Sequence, residues 1–469
     1  MVNCLFSTQS FADFSKLLKE LNEKNDVIIR SKLQVEMVKL ERDDLKANRS
    51  WNTIGQINHR DVKQEGVSLL DANTTLTDSL NLGFDKLFIT GTKTSFKHQI
   101  NYVDRSRWNP LVIGNGSKLL YTTSNTFTLE QEIGKNIFGK VDRLDLSNAH
   151  LKVKNMEQKT QWDIEKVQQD FYVAYVNTQY HHAQLELKKR ALERVIKRKE
   201  MVESRVKGGL RENVDLMESM SNVLTQKEGI LNLEQTIKTD LLNLGFYLHR
   251  SVSKNEIESL ELNKLKKIPH FSGDVKANKE LIKLENDLQL LYETKKRVQL
   301  DFMPQIQLQG EYVGIKNNHD FIASFEKAVP GFSPFRQFRV GLQVSMPLDF
   351  PKAKVDRSKI NVQILTKQTE LEKRRKNIDV GIDTIKEKLE LLTQSFELSQ
   401  QRLKLANDVL KEQYRLYNMA ARDLDTVINA EVALIATEES IVNYVYSFEM
   451  ELVKYSFSIG ALQDFFQFK

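Results

Sequence analysis

The run QIQLQGEYV at 305–313 decides the fold. Gln305, Gln307, Gln309 and Glu311 fall on one side of an extended chain, and Ile306, Leu308, Gly310 and Tyr312 on the other. After a loop of about twenty residues the alternation returns. Val340, Leu342, Val344, Met346 and Leu348 are then set against Arg339, Gly341, Gln343 and Ser345. A period of two over roughly nine to eleven residues predicts strands whose two faces meet different media, and that length, tilted, crosses a bilayer as one stave of a β-barrel. From 352 to 417 there is no proline, a single glycine (Gly381) and helical periodicity throughout. Membrane-length strands feeding a helix of about 66 residues, ~100 Å at 1.5 Å per residue, leave few soluble architectures.

Composition agrees. Only 7 prolines and 19 glycines punctuate 469 residues, and 28% are charged, which suits long helices packed on narrow seams. No window holds eighteen consecutive apolar residues, so any membrane span has to be β. The net charge of +6 is spread among 63 acids, without a compact basic patch, and argues against a nucleic-acid face. A single cysteine, Cys4, excludes a disulfide framework or a cysteine metal cluster. Ser10-Phe11-Ala12 puts small residues where a signal peptidase reads, so residues 1–12 are expected to be the remnant of a secretory signal.

Taken in order, 13–49 reads as a helix, 51–133 as strand-bearing, 141–207 as an unbroken helix stopped by Gly208-Gly209, and 213–249 as a helix that Asn213 can cap. A connector at 251–274 follows. Then the order returns: helix from 275, strands within 302–350, long helix at 352–417, a break, a helix at 423–460 and a tail at 461–469. The two halves, 13–250 and 275–460, register at one constant offset around the breaks. Arg205 matches Arg415, Asp215 Asp425, Leu224 Leu434, Glu228 Glu438 and Leu242 Leu452, which predicts two structural repeats. Two shorter helices of about 37 residues, ~55 Å each, stacked end to end, match one long helix. The second long helix carries heptads: Ile364, Leu371, Ile378, Ile385 and Leu392 in one row, and Ile382, Leu389, Phe396, Leu403, Leu410 and Tyr417 in the next. Such narrow seams suit a hollow cylinder of helices.

Met346-Pro347-Leu348-Asp349 ahead of a long helix, and Gly209-Leu210-Arg211-Glu212-Asn213-Val214-Asp215-Leu216-Met217-Glu218 at the first turn, resemble the TolC-like outer-membrane duct family. The resemblance spans about 440 residues through element order and repeat. It implies a mixed fold, with long antiparallel helices in an α-barrel and β-hairpins contributing to a shared transmembrane β-barrel. It further implies a homotrimer in the outer membrane of a Gram-negative bacterium that reaches into the periplasm. Its partners would be outer-membrane lipid, a periplasmic adaptor and, through it, an inner-membrane transporter. The resemblance puts adaptor docking on the tips, here Gly208, Gly209, Leu210, Asp215, Met419, Ala420 and Ala421. Periplasmic gate candidates are Asp423, Asp425 and Asn429. The second turn departs from the family pattern. Met419 stands where glycine is usual, and Leu424-Asp425-Thr426-Val427-Ile428-Asn429-Ala430-Glu431 fits only after a one-residue shift.

Enzyme chemistry finds no constellation. His181 and His182 are adjacent on a helix, so their side chains diverge, and a solvated pair is expected. Met201, Met217 and Met220 read as thioethers on an apolar seam. Gly208-Gly209 lacks the lysine-serine pair of a phosphate loop, and Asp215 is explained by a helix start. Trp108, Tyr102 and Tyr121, and Phe321, Phe325, Phe332, Phe335 and Phe338, sit where an aromatic girdle would lie. No cofactor or metal is expected. The sequence therefore reads as a passive exit duct of a tripartite efflux pump or type I secretion system. The alternative is a periplasmic coiled-coil scaffold without channel activity. The strand count stays open. The first half has about 39 more residues between its helices than the second, room for one extra hairpin. Either 51–59 rises and 78–89 descends before a turn at Thr90-Gly91-Thr92, giving six strands per chain, or 51–76 packs outside and four remain.

Overall fold

The computed structural model describes residues 10–63, 74–106, 108, 113, 118–209, 211–262, 265, 275–320, 322–323, 335–419 and 421–468. Cys4, Leu210, Phe321, Phe325, Phe332 and Ala420 lie outside them. The chain divides into two compact units. The first comprises Met1–Val35, Met156–Glu285 and Thr369–Lys469, and the second Glu36–Asn155 and Asn286–Gln368. Among the described residues, no helix is long and apolar enough to cross a membrane.

The second unit is built on one antiparallel sheet of six strands in sequence order: β1 (Asn52–Lys63), β2 (Thr74–Leu87), β3 (Thr92–Asp104), β4 (Leu119–Glu132), β5 (Gln305–Asn318) and β6 (Phe335–Ser345). The six-strand alternative is therefore the observed one. Asn52 of β1 pairs with Asp85 of β2, and the stretch from 84 to 102 is broken at Phe88–Gly91, where the Gly91 N–H donates to the Phe88 carbonyl. Strand β6 stops at Ser345, short of the expected Met346 and Leu348. Pro347 has no N–H to give a ladder, and Asp349 and Phe350 take positive φ before the helix begins.

Register sorts the side chains onto two faces. One carries Leu82, Phe84, Phe96, Phe127, Leu129, Leu308, Tyr312, Phe338, Val340, Leu342 and Val344. Phe84 and Phe96 stack at 5.3 Å, and Trp51 meets Phe84 edge-on at 5.5 Å. At one end of this face Lys86 lies over the rings of Trp51 and Phe88, 5.1 and 5.2 Å from their centroids. At the other, His59 pairs with Asp78 at 2.6 Å and Tyr102 packs against Tyr121 with the rings tilted, 5.2 Å between centroids. The opposite face is polar, with Gln305, Gln307, Gln309, Gln337, Gln343, Thr122, Ser124 and Thr126. Its charges face one another across the strands: Lys93 opposite Glu130, and Arg339 opposite Glu311 at 3.6 Å. At the base of the sheet Gly139 sits at φ +72, and a Cβ there would be 1.8 Å from the Ile89 carbonyl oxygen.

The first unit is helical. The N-terminal segment expected as one helix over 13–49 is two, α1 (Ser10–Lys24) and α2 (Asp26–Ala47), broken at buried Asn25. Asn25 Oδ1 accepts from the Val27 and Ile28 N–H groups while Nδ2 donates to the Tyr247 carbonyl. The long helices α3 (Lys140–Lys207) and α6 (Pro351–Asn418), of 68 residues each, pass from one unit into the other. The shorter ones are α4 (Asn213–Leu248), α5 (Lys279–Gln299) and α7 (Leu424–Ser458). Asn278 repeats at α5 what Asn25 does at α2. Its Oδ1 accepts from Glu280 and Leu281, and its Nδ2 donates to the Ser458 carbonyl.

The tail expected at 461–469 is instead a helix, α8 (Leu462–Phe468), because Leu462, Phe465 and Phe466 share one helical face. Leu462 and Phe465 are fully buried in the main cluster with Phe14, Phe171, Leu389, Phe448 and Leu452. The heptad rows of α6 are the inward ones: Ile378, Ile382, Leu389, Phe396, Leu410 and Tyr417 are buried. A second row on the same helix, Leu391, Leu398 and Leu405, is exposed, as are Met217, Leu224 and Leu231 at the same seven-residue spacing on α4.

Candidate functional site: the paired helical turns

The first unit brings the two turns together. Helix α3 ends at Lys207, and Gly209 adopts φ +70, which a residue without a Cβ reaches at little cost. Its N–H donates to the Val206 carbonyl at 3.0 Å. Glu212, not the expected Asn213, stands at the N-cap position of α4, and Asn213 is the first helical residue. Asp215 lies in the first turn, 3.7 Å from Arg211. In the second turn the Met419 N–H donates to the Arg415 carbonyl and the Ala421 N–H to Leu416. Asp423 is the N-cap of α7, and Asp425 and Asn429 are exposed.

Residues that the sequence marked only by heptad, repeat or motif position, not as site residues, link these turns. Tyr417, fully buried, lies under the Arg205 guanidinium at 3.9 Å and Arg211 at 5.6 Å, and Arg205 also donates to its carbonyl at 2.9 Å. A cation over an aromatic face is worth from about 0.5 kcal/mol when exposed to about 2 kcal/mol when desolvated, and Arg205 is half-buried. Arg211 then reaches Asp423 at 3.5 Å. Asp423 is 85% exposed, so that ion pair adds at most about 1 kcal/mol. Arg211 thus touches one docking candidate, Asp215, and one gate candidate, Asp423.

About two helical turns deeper lies a buried charge cluster. Arg198 donates to Glu431 Oε2, the Tyr414 hydroxyl donates to Glu431 Oε1, and Arg198 and Glu431 are each 2% exposed. Burial, then the Glu431 carboxylate, pushes the Tyr414 phenol well above its ordinary pKa. Arg194 extends the seam to Glu438 at 2.7 Å, and Lys188 meets Glu439 at 3.0 Å. Beneath, Val202, Leu410, Tyr417, Leu424, Val427 and Leu434 form a separate apolar cluster. The signal was present in the sequence. Arg198 follows Ala191 and Val195 and precedes Val202, while Glu431 sits between Val427 and Leu434, so each charge occupies an apolar seam position.

Two readings change here. His181 and His182 are half-buried, not solvated: His181 Nδ1 pairs with Asp240 at 2.6 Å, and burial lowers the His182 pKa. Met217 and Met220 are exposed, while Met201 packs on the turn cluster, so the three form no common thioether seam. Among the described residues, no group of three or more histidine, cysteine or carboxylate side chains is placed to hold a metal ion.

No family model matches the sequence, and no curated protein matches it. Solved structures do resemble the fold. The outer-membrane channel OprN superposes with a TM-score of 0.72 at 12% identity, covering 96% of this chain and 90% of that one. The outer-membrane protein VceC of Vibrio cholerae gives 0.68 at 12% identity over 96% of both chains. The open state of the Neisseria gonorrhoeae MtrE channel gives 0.69 at 13% identity, over 95% of this chain and 89% of that one.

Proposed function

We propose that this chain, which has the TolC-like fold of solved outer-membrane channels, is the outer-membrane exit duct of a tripartite efflux pump or type I secretion system. It works as a passive homotrimer. The observation that carries this reading is the six-stranded sheet, with one apolar face, one polar face, and two outer strands, β1 and β6, each paired on one side only. In lipid an unpaired strand edge leaves several kcal/mol of unsatisfied backbone per group, so the edges need partners. Further copies of the chain supply both, because β6 of each chain meets β1 of the next and three chains close the ring. The apolar face meets lipid and the polar face lines the pore. The exposed heptad rows on α4 and α6 support the same arrangement, each finding its complement on a neighbouring chain.

In this reading the matching Asn25 and Asn278 junctions mark two structural repeats. The turns at 207–213 and 418–423 form the periplasmic end. An adaptor docks on Gly208, Gly209, Leu210, Asp215, Met419, Ala420 and Ala421, and opening separates the Arg205–Tyr417 and Arg211–Asp423 contacts. Asp423, Asp425 and Asn429 then line the mouth. Energy and substrate choice come from the inner-membrane partner. A coiled-coil scaffold has no use for the amphipathic sheet. The test is extraction from an outer-membrane fraction in mild detergent, followed by mass measurement. A trimer with native strand content is expected. A stable monomer with the same strand content refutes the duct.

A further inference from the structure

The apolar face of the sheet has a slant that fixes which strands stand in lipid. On β6 the apolar side chains are Phe338, Val340, Leu342 and Val344, level with Tyr312, Gly310, Leu308 and Ile306 of β5. On β4 the matching run is Phe127 and Leu129, with Leu119 and Tyr121 nearer the end that carries Asp104. On β2 the run is Leu80, Leu82 and Phe84, with Leu76 beyond Asp78 toward the strand's end. Followed through the register, Phe84 is level with Phe96, Phe127 and Tyr312, and Leu80 with Ile100, Thr123 and Lys316. On β1 the apolar residue of this face is Ile57, level with Leu80 and 82% exposed. The band drifts one way only, by about five residues over the four steps from β6 to β2, or a little over one residue per strand.

Strand tilt predicts that drift. Strands about 4.8 Å apart and tilted 35–45° cross a flat membrane with a shift of roughly 1.0–1.5 residues per strand. A hairpin packed outside the wall has no reason to continue the slant. Leu80 and Leu82 set the slant on β2, and Ile57 on β1, level with Leu80, lies where its extrapolation requires. Of the ionisable residues on this face, Asp78, His59, Asp61 and Asp104 stand toward one end and Lys86 toward the other, while His98 lies within the band, level with Leu82 and paired with Asn125 at 2.7 Å.

We propose that β1 and β2 are full members of the lipid-facing wall, so that three copies close a barrel of eighteen strands instead of the twelve that four strands per chain would give. The proposal rests on the shared-barrel reading above and deepens it. Both unpaired edges are strands of eleven or twelve residues, and β6 of one copy joins β1 of the next. At a tilt of about 40°, eighteen strands give a barrel radius of about 18 Å, against about 12 Å for twelve. The outer segment is thus half again as wide, and side chains cannot fill it.

The test places single cysteines in a chain carrying Cys4→Ser. Ile57→Cys reports on β1, Leu342→Cys on the apolar face of β6, and Asn58→Cys on the polar face. Each is labelled with an environment-sensitive fluorophore and reconstituted into vesicles with brominated phospholipid. Similar quenching is expected at Ile57 and Leu342, severalfold above that at Asn58. Quenching at Leu342 without quenching at Ile57 puts the first hairpin outside the wall, overturning the eighteen-strand barrel while the duct stands. Quenching at neither site overturns both. Electron cryomicroscopy of the unmodified trimer in nanodiscs gives an independent count, with eighteen strands expected and twelve refuting the proposal.

Discussion

Replacing Arg198 by methionine should loosen the turn end of the helical unit far more than any surface ion pair does. Arg198 and Glu431 are each 2% exposed, and Glu431 also accepts from Tyr414. Removing the guanidinium strands a buried carboxylate, a loss of about 3–5 kcal/mol. At 1.4 kcal/mol per decade, that raises local opening between about 10²- and 10⁴-fold. Hydrogen exchange followed by mass spectrometry on the detergent-solubilised protein reads this directly, in peptides from the C-terminal part of α3 and the N-terminal part of α7. Arg375→Met is the control. Its pair with Glu285 is at 2.8 Å, but both side chains are about half exposed, so less than about 1 kcal/mol, or fivefold, is expected. The triple replacement Arg198→Met, Glu431→Met and Tyr414→Phe removes every member of the cluster at similar volume. It should return protection to within about 1 kcal/mol of the parent or above it. Two results refute the reasoning: Arg198→Met behaving like Arg375→Met, or the triple variant being no better than the single one.

Gly209→Pro should cripple export and leave the assembled trimer on a native gel. Proline is fixed near φ −65°, cannot reach +70, and gives up the N–H bonded to Val206, while the sheet lies in the other unit. Leu210→Asp is expected to do the same, and unimpaired export in both would move docking elsewhere. Gly139→Ala puts a Cβ 1.8 Å from the Ile89 carbonyl oxygen at a backbone angle of +72. It should cost roughly 3 kcal/mol or more and deplete folded protein in the outer-membrane fraction; normal yield would contradict the packing. Hydrogen bonds from Arg250 hold Glu256 down at about 2, and Arg250 and Lys24 lower Glu20 as well. These depressed carboxylates stabilise the fold above the unfolded value near 4.5. The gain is lost as pH falls from there toward 2. Arg250→Met should therefore flatten the acid limb of a melting-temperature profile measured between pH 5 and pH 2, and an unchanged limb would count against the pair.

Long-period features were legible in the sequence because each is repeated many times. The heptads of α6 recur over 68 residues, and the alternation of β5 and β6 recurs over more than ten. Single-residue features were not. Strand β1, NTIGQINHRDVK, has only Ile54, Ile57 and Val62 as large aliphatics, and they fall on both faces, so alternation alone left its place undecided. The break at Asn25 depends on a contact with the distant Tyr247 carbonyl, which no local pattern reveals. The C-terminal helix was missed because seven residues give one helical face only two turns to declare itself. Among the site residues, glycine chemistry pointed to Gly209. Tyr417 looked like an ordinary heptad position until Arg205 and Arg211 were found against its ring.

The cross-strand matching of charges on the polar sheet face bears on what such a wall does to ions. That face carries Arg60, Lys93, Lys97 and Arg339 against Asp85, Glu130, Glu132 and Glu311, with Lys93 opposite Glu130 and Arg339 opposite Glu311. Neighbouring strands are about 4.8 Å apart, less than the ~8 Å screening length at physiological ionic strength. The potentials of these two opposed pairs therefore fall off as those of dipoles within a short distance of the sheet. Arg60, Lys97, Asp85 and Glu132 face uncharged residues across the strands, but with four charges of each sign the face is neutral overall, and in the proposed duct it would favour neither cations nor anions strongly.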